Sequence, residues 1–131
     1  MIKTIFICLL LTIHSGVAKE YKIWSRLTFY NPAESGGYRV AAPNIKRNIA
    51  GYGVSAHPDF KFFTKIKIPI LKNVFDSDDK FTVIDRGSAV TSKKAAKGKG
   101  YVFDIFVNKR GKSFNNFVKK MPTWAWVIIE K

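Results

Sequence analysis

The chain has 131 residues, of which 47% are hydrophobic and 24% charged, and its 23 Lys and Arg against 9 Asp and Glu give a formal net charge of +14. This length supports about one domain with a single core, and a lone cysteine excludes an internal disulfide framework. A field of this sign and size attracts polyanions and anionic surfaces.

Residues 1–18 read as a secretory signal peptide. Lys3 precedes the apolar run Thr4 to Ile13, the polar stretch His14-Ser15-Gly16 follows, and Val17-Ala18 supplies a small-residue cleavage site. The apolar run is too short to span a bilayer, and no later run is long enough. Cleavage near Ala18 removes Cys8, the only cysteine, and Lys3, leaving residues 19–131 with a charge of +13. The expected product is a secreted or periplasmic monomer without a transmembrane segment.

Residues 19–131 read as one mainly β domain. Tyr21 to Tyr30 is rich in aromatic and branched residues, and Asn31-Pro32 and Ser35-Gly36-Gly37 break it. Val54-Ser55-Ala56 is a short apolar segment ending at His57-Pro58. Lys65 to Leu71 alternates lysine and isoleucine, the pattern of a half-buried strand. Lys80 to Arg86, Tyr101 to Val107 and Thr123 to Glu130 complete the predicted strands. Ser92 to Gly100 (SKKAAKGKG) reads as a solvated loop, and one short helix is expected where Ser113 caps a face of Phe114, Phe117 and Val118. Short strands at close spacing with little helix predict a small all-β barrel rather than a parallel α/β fold.

Two aspartates occupy strand positions, where aspartate is disfavoured. Asp104 shares a strand face with Val102 and Phe106. Desolvation there raises a carboxyl pKa and suits a general acid acting on a glycosidic oxygen, while the structural alternative is a carboxylate bonded to backbone amides. Asp85 ends its strand before Arg86-Gly87, where it either caps the turn or projects into a cleft with Arg86 beside it. His57 is the one histidine of residues 19–131, which also lack cysteine, so an ordinary zinc site is not expected, nor is any other cofactor. Ser88, His57 and Asp85 form a triad on paper, but nothing marks Ser88 as a nucleophile elbow.

The order of these pieces carries more than any one of them. Leu27-Thr28-Phe29-Tyr30, Ala56-His57-Pro58, Val83-Ile84-Asp85-Arg86-Gly87 and Phe103-Asp104-Ile105-Phe106 follow one another along the chain. Over roughly residues 26–130 this order resembles the double-psi β-barrel proteins of bacterial cell walls, namely the three-aspartate domain of lytic transglycosylases and the rare lipoprotein A domain. The resemblance implies a six-stranded double-psi β-barrel with one short helix. It places His57 at the histidine of the rare lipoprotein A domain, which is the first aspartate of the three-aspartate pattern, and it matches Asp85 and Asp104 to the second and last aspartates. The last is taken as the acid/base of the transglycosylases.

The implied catalytic set is Asp104, Asp85 and His57, acting on peptidoglycan or another anionic polysaccharide; Arg86 is placed to hold a carboxylate or a sugar hydroxyl, and Tyr30, Tyr52 and Trp24 either stack on sugar rings or belong to the core. Departures from the family are a longer stretch between Asp85 and Asp104, no lipid-anchor cysteine, and Asn108-Lys109-Arg110 where a Ser-His pair often stands. A non-catalytic, expansin-like wall-binding module tolerates all three, and a secreted effector or inhibitor that binds a protein is a further alternative. Nucleic acid is not an expected partner, since charge is present without a recognised motif.

Overall fold

The computed structural model describes residues 19–34, 37–75 and 78–130. The expected signal segment, residues 1–18, lies outside the described residues. Six strands form a mainly β fold: β1 (Glu20–Tyr30), β2 (Gly53–Ser55), β3 (Lys65–Lys67), β4 (Lys80–Asp85), β5 (Val102–Phe106) and β6 (Trp124–Glu130). They pair in the order β1-β5-β2-β4-β3-β6, and β6 returns to β1, so the sheet closes on itself.

Two pairings are parallel, β1 with β5 and β2 with β4, and the remaining four are antiparallel. Advancing every strand by three places leaves this pattern unchanged, because β1–β5 maps onto β4–β2 and β1–β6 onto β4–β3. The topology therefore has a pseudo-two-fold character that the sequence does not show as a repeat. Parallel neighbours require long crossover connections. The long connections 31–52, from β1 to β2, and 86–101, from β4 to β5, are equivalent under this symmetry, and each joins two strands that have one other strand between them.

Alternation along the strands builds the core. Leu27, Phe103, Ile105, Phe81, Val83, Val127 and Ile129 face inward and are buried together. The intervening residues Thr28, Tyr30 and Asp104 lie on the other face, beneath the crossovers. The core thus accounts for half of each strand, and the crossovers determine what becomes of the other half.

Several local expectations need correction. The stretch predicted as one strand over 65–71 is a three-residue strand followed by a 3-10 turn, Pro69–Leu71, because proline cannot donate to the ladder. Among the described residues two short α-helices are present, not one: α1 (Ser88–Ser92) and α2 (Gly111–Lys119). Arg110 stands at the cap position of α2, without a side-chain capping bond, and Ser113 lies inside the helix. Phe114 is buried, and Phe117 meets Phe29 edge-on at 5.7 Å between ring centres.

The lysine-rich stretch is also more ordered than a solvated loop. Ala96 is buried with Val90 and Val102, Ala95 and Trp124 pack against them, and Arg26 Nε donates to the Ala95 carbonyl at 3.3 Å. Its two alanines supply the packing that its lysines and glycines lack.

Candidate functional site

The face opposite the core carries a transverse row of polar side chains. In strand register Thr28 of β1 pairs with Asp104 of β5, Asp104 with Ser55 of β2, and Ser55 with Asp85 of β4. The last pairing depends on a register shift between Val54 and Ser55. Val54 pairs with Val83, and Ser55 then skips Ile84 to meet Asp85. Such a bulge re-aims a side chain by one position. All four residues line one open cavity of about 440 Å³, with Glu34, Arg39, Ser88 and Ala89 on its other sides.

Asp104 is half-buried here. Thr28 Oγ1 donates to its Oδ1 at 2.8 Å. Desolvation pushes its carboxyl up to about 6, and the charges of Glu34 and Asp85 push the same way against the Thr28 bond. A carboxyl in this range exchanges a proton near neutral pH.

Asp85 is 8% exposed and held differently. Its Oδ1 accepts the backbone N–H groups of Ala41 (3.1 Å) and Arg86 (2.9 Å), and its Oδ2 accepts the Tyr30 hydroxyl at 3.0 Å. Asn48 Nδ2 in turn donates to the Tyr30 oxygen at 2.8 Å. Burial, followed by the charge and hydrogen bond of Asp85, drives the Tyr30 phenol far above its ordinary value, so it stays neutral and donates. Asp85 therefore ties the crossover 31–52 to the end of β4.

The other sequence-derived residues are distributed around the fold. Tyr30 lines the cavity, but its ring is 7% exposed and packs edge-on against Phe106, which leaves no face for stacking on a sugar. Arg86 also lines the cavity, but its guanidinium is committed to the 56–60 turn. It donates to the carbonyls of Ala56 (3.1 Å) and Phe60 (2.8 Å) and lies over the Phe62 ring at 4.1 Å.

His57 does not line the cavity. Its Nδ1 accepts the Asp59 N–H at 3.0 Å, and its ring meets Tyr101 edge-on at 5.7 Å. The chain has left β2 by this point, and Arg86 fixes the turn that carries His57 away. Tyr52 lines a separate groove with Lys65, Lys80 and Glu130. Trp24 is exposed on the outside of the sheet, 5.1 Å from Trp126.

Thr28, Ser55, Asn48 and Glu34 were not singled out from the sequence. Thr28 had a usable signal, since it stands two residues before Tyr30 on one strand face. Asn48 and Glu34 lie in a crossover whose path no local pattern reveals.

Among the described residues no group of three or more His, Cys, Asp or Glu is arranged to hold a metal ion, and no helix is long and apolar enough to cross a membrane. Comparison with known proteins yields no matching family model, no matching curated protein and no matching solved structure.

Proposed function

We propose that the chain is an exported double-psi β-barrel that acts on peptidoglycan, cleaving the glycan strand in the manner of a lytic transglycosylase with Asp104 as acid/base. The observation that carries this reading is a carboxyl with its pKa raised to about 6, set beside a second carboxylate in an open cavity. The closed sheet with two parallel pairs related by a pseudo-two-fold supports the barrel assignment.

In this mechanism protonated Asp104 gives its proton to the glycosidic oxygen as the C1–O bond breaks. The positive charge developing on the sugar ring faces Asp85. Asp104, now a carboxylate, accepts the proton of the sugar's own hydroxyl as that oxygen bonds to C1 and closes an anhydro ring. One acid/base group serves both half-reactions, unlike the paired carboxylates of ordinary glycosidases. His57, Arg86 and Tyr52 have no part in it. Arg86 holds the 56–60 turn, and Tyr30 holds Asp85.

A binding-only wall module is the second reading. It is favoured by the three protein donors already committed to Asp85. Incubation of the purified protein with peptidoglycan sacculi, followed by mass spectrometry of the released material, separates the two. Anhydro-muropeptides from the wild type, lost in Asp104→Asn while pelleting with sacculi persists, are the expected result. Pelleting without release of fragments overturns the catalytic reading and leaves the binding module.

A further inference from the structure

Ser55 is 3% exposed, lines the cavity, and its Oγ has no hydrogen-bond partner. Burying a hydroxyl without a partner is unfavourable, and no other buried side-chain oxygen or nitrogen among the described residues is left in this state. Its place in the fold is equally specific. Ser55 lies on β2 between β4 and β5, in register with Asp85 on one side and Asp104 on the other.

Directly opposed residues of antiparallel strands have Cβ atoms about 4.5–5.5 Å apart. One oxygen atom of a ligand placed between Ser55 and Asp104 is therefore within hydrogen-bonding distance of both. Thr28 engages only Oδ1 of Asp104, and among the described residues no hydrogen bond engages Oδ2 of this cavity-lining side chain.

We propose that Ser55 Oγ and Asp104 Oδ2 together grip one hydroxyl of a polysaccharide ligand, with Ser55 donating to the hydroxyl oxygen and Asp104 accepting its hydrogen. Ser55 is a positioning residue in this scheme and exchanges no proton. The grip fixes the hydroxyl's O–H toward Asp104 and one lone pair toward Ser55, and so leaves the other lone pair directed out of the row. Taken with the function proposed above, on which this last step rests, that lone pair forms the new bond to C1. Ser55 then favours the sugar's own hydroxyl over water as the group that closes on the ring.

Three measurements test the proposal. The first is thermal stability. Ser55→Ala removes an unpartnered buried hydroxyl, so its melting temperature is expected to equal or exceed that of the wild type, whereas a structural serine would lower it. The second is binding of peptide-stripped glycan strands prepared from sacculi, measured in an Asp104→Asn background that retains an acceptor oxygen. Adding Ser55→Ala is expected to weaken binding about five- to tenfold, the scale of one lost neutral hydrogen bond. Comparing Ser55→Thr with Ser55→Val, which share a shape, isolates the hydroxyl, and Thr should bind more tightly than Val.

The third is the product ratio from sacculi, where Ser55→Ala should raise hydrolysed muropeptides at the expense of anhydro forms. Unchanged affinity and an unchanged ratio overturn the grip. Weakened binding in a protein whose wild type releases no fragments upholds the grip and overturns the catalytic reading.

Discussion

The two carboxylates of the site differ because their neighbours differ. Asp85 receives three donors, while Asp104 receives one and faces the negative charges of Glu34 and Asp85 in a partly desolvated place. Titration of Asp104 by carboxyl carbon NMR should give a midpoint near 6. Thr28→Val removes the bond that favours the ionised form and should raise the midpoint. Glu34→Gln removes a repelling charge and should lower it. Movement of both variants in one direction would contradict the assigned causes.

The sign of the linked stability effect follows from the same shift. The folded state binds the Asp104 proton more tightly than the unfolded chain, whose ordinary carboxyl value is about 3.9. Between about pH 4 and 6 the folded state therefore holds more protons, and this residue's contribution to stability falls as pH rises through that window. The sequence made this carboxyl conspicuous, because an aspartate between Val102 and Phe106 on one strand face has few polar neighbours. It did not show how Asp85 is held, because two of its donors, the Tyr30 hydroxyl and the Ala41 N–H, come from distant parts of the chain.

At the scale of elements, the bulge in β4, opposite the Val54–Ser55 step of β2, is the decisive feature. Strict alternation would set Ser55 opposite Ile84, and the skipped residue sets it opposite Asp85 instead. Gly53, at the start of β2, makes the crowding here workable. A Cβ on Gly53 would collide with the Asn48 side chain and with Ile84 Cδ1. Gly53→Ala should therefore displace Asn48, release the Tyr30 hydroxyl and cost about 1–3 kcal/mol, the scale of a buried polar group losing its partner. A urea unfolding curve superimposable on the wild type would refute this.

Strand existence was legible because five of the six segments are long or strongly alternating. The break at Pro69, the extra helix and the packed alanines of the lysine-rich stretch were less so. The break at Pro69 has a local cause, since proline cannot donate to the ladder, whereas the extra helix and the packed alanines depend on what lies above each segment.

For the whole molecule, positive charge and closed topology act together. Residues 19–131 carry a formal +13, and the cavity opens with Arg39 among its lining residues. If anionic wall polymer is the partner, retention on sacculi should fall steeply with salt, because the Debye length shrinks from about 10 Å at 0.1 M to about 3 Å at 1 M. Retention that persists at 1 M salt would assign the affinity to short-range contacts and not to the overall field.

Composition, alternation and the two misplaced aspartates were determined by the sequence alone, because each is a property of neighbours along the chain. They gave a basic, mainly β domain and drew attention to Asp85 and Asp104. The tertiary structure alone decided that Ser55 and Thr28 join those aspartates in one row, that His57 and Tyr52 lie elsewhere, and that Arg86, although it lines the cavity, commits its guanidinium to a turn. The physical reason is register. Which strands pair, and where one residue is skipped, is decided by closing the sheet and laying two crossovers over it, and neither can be read from any single stretch of chain.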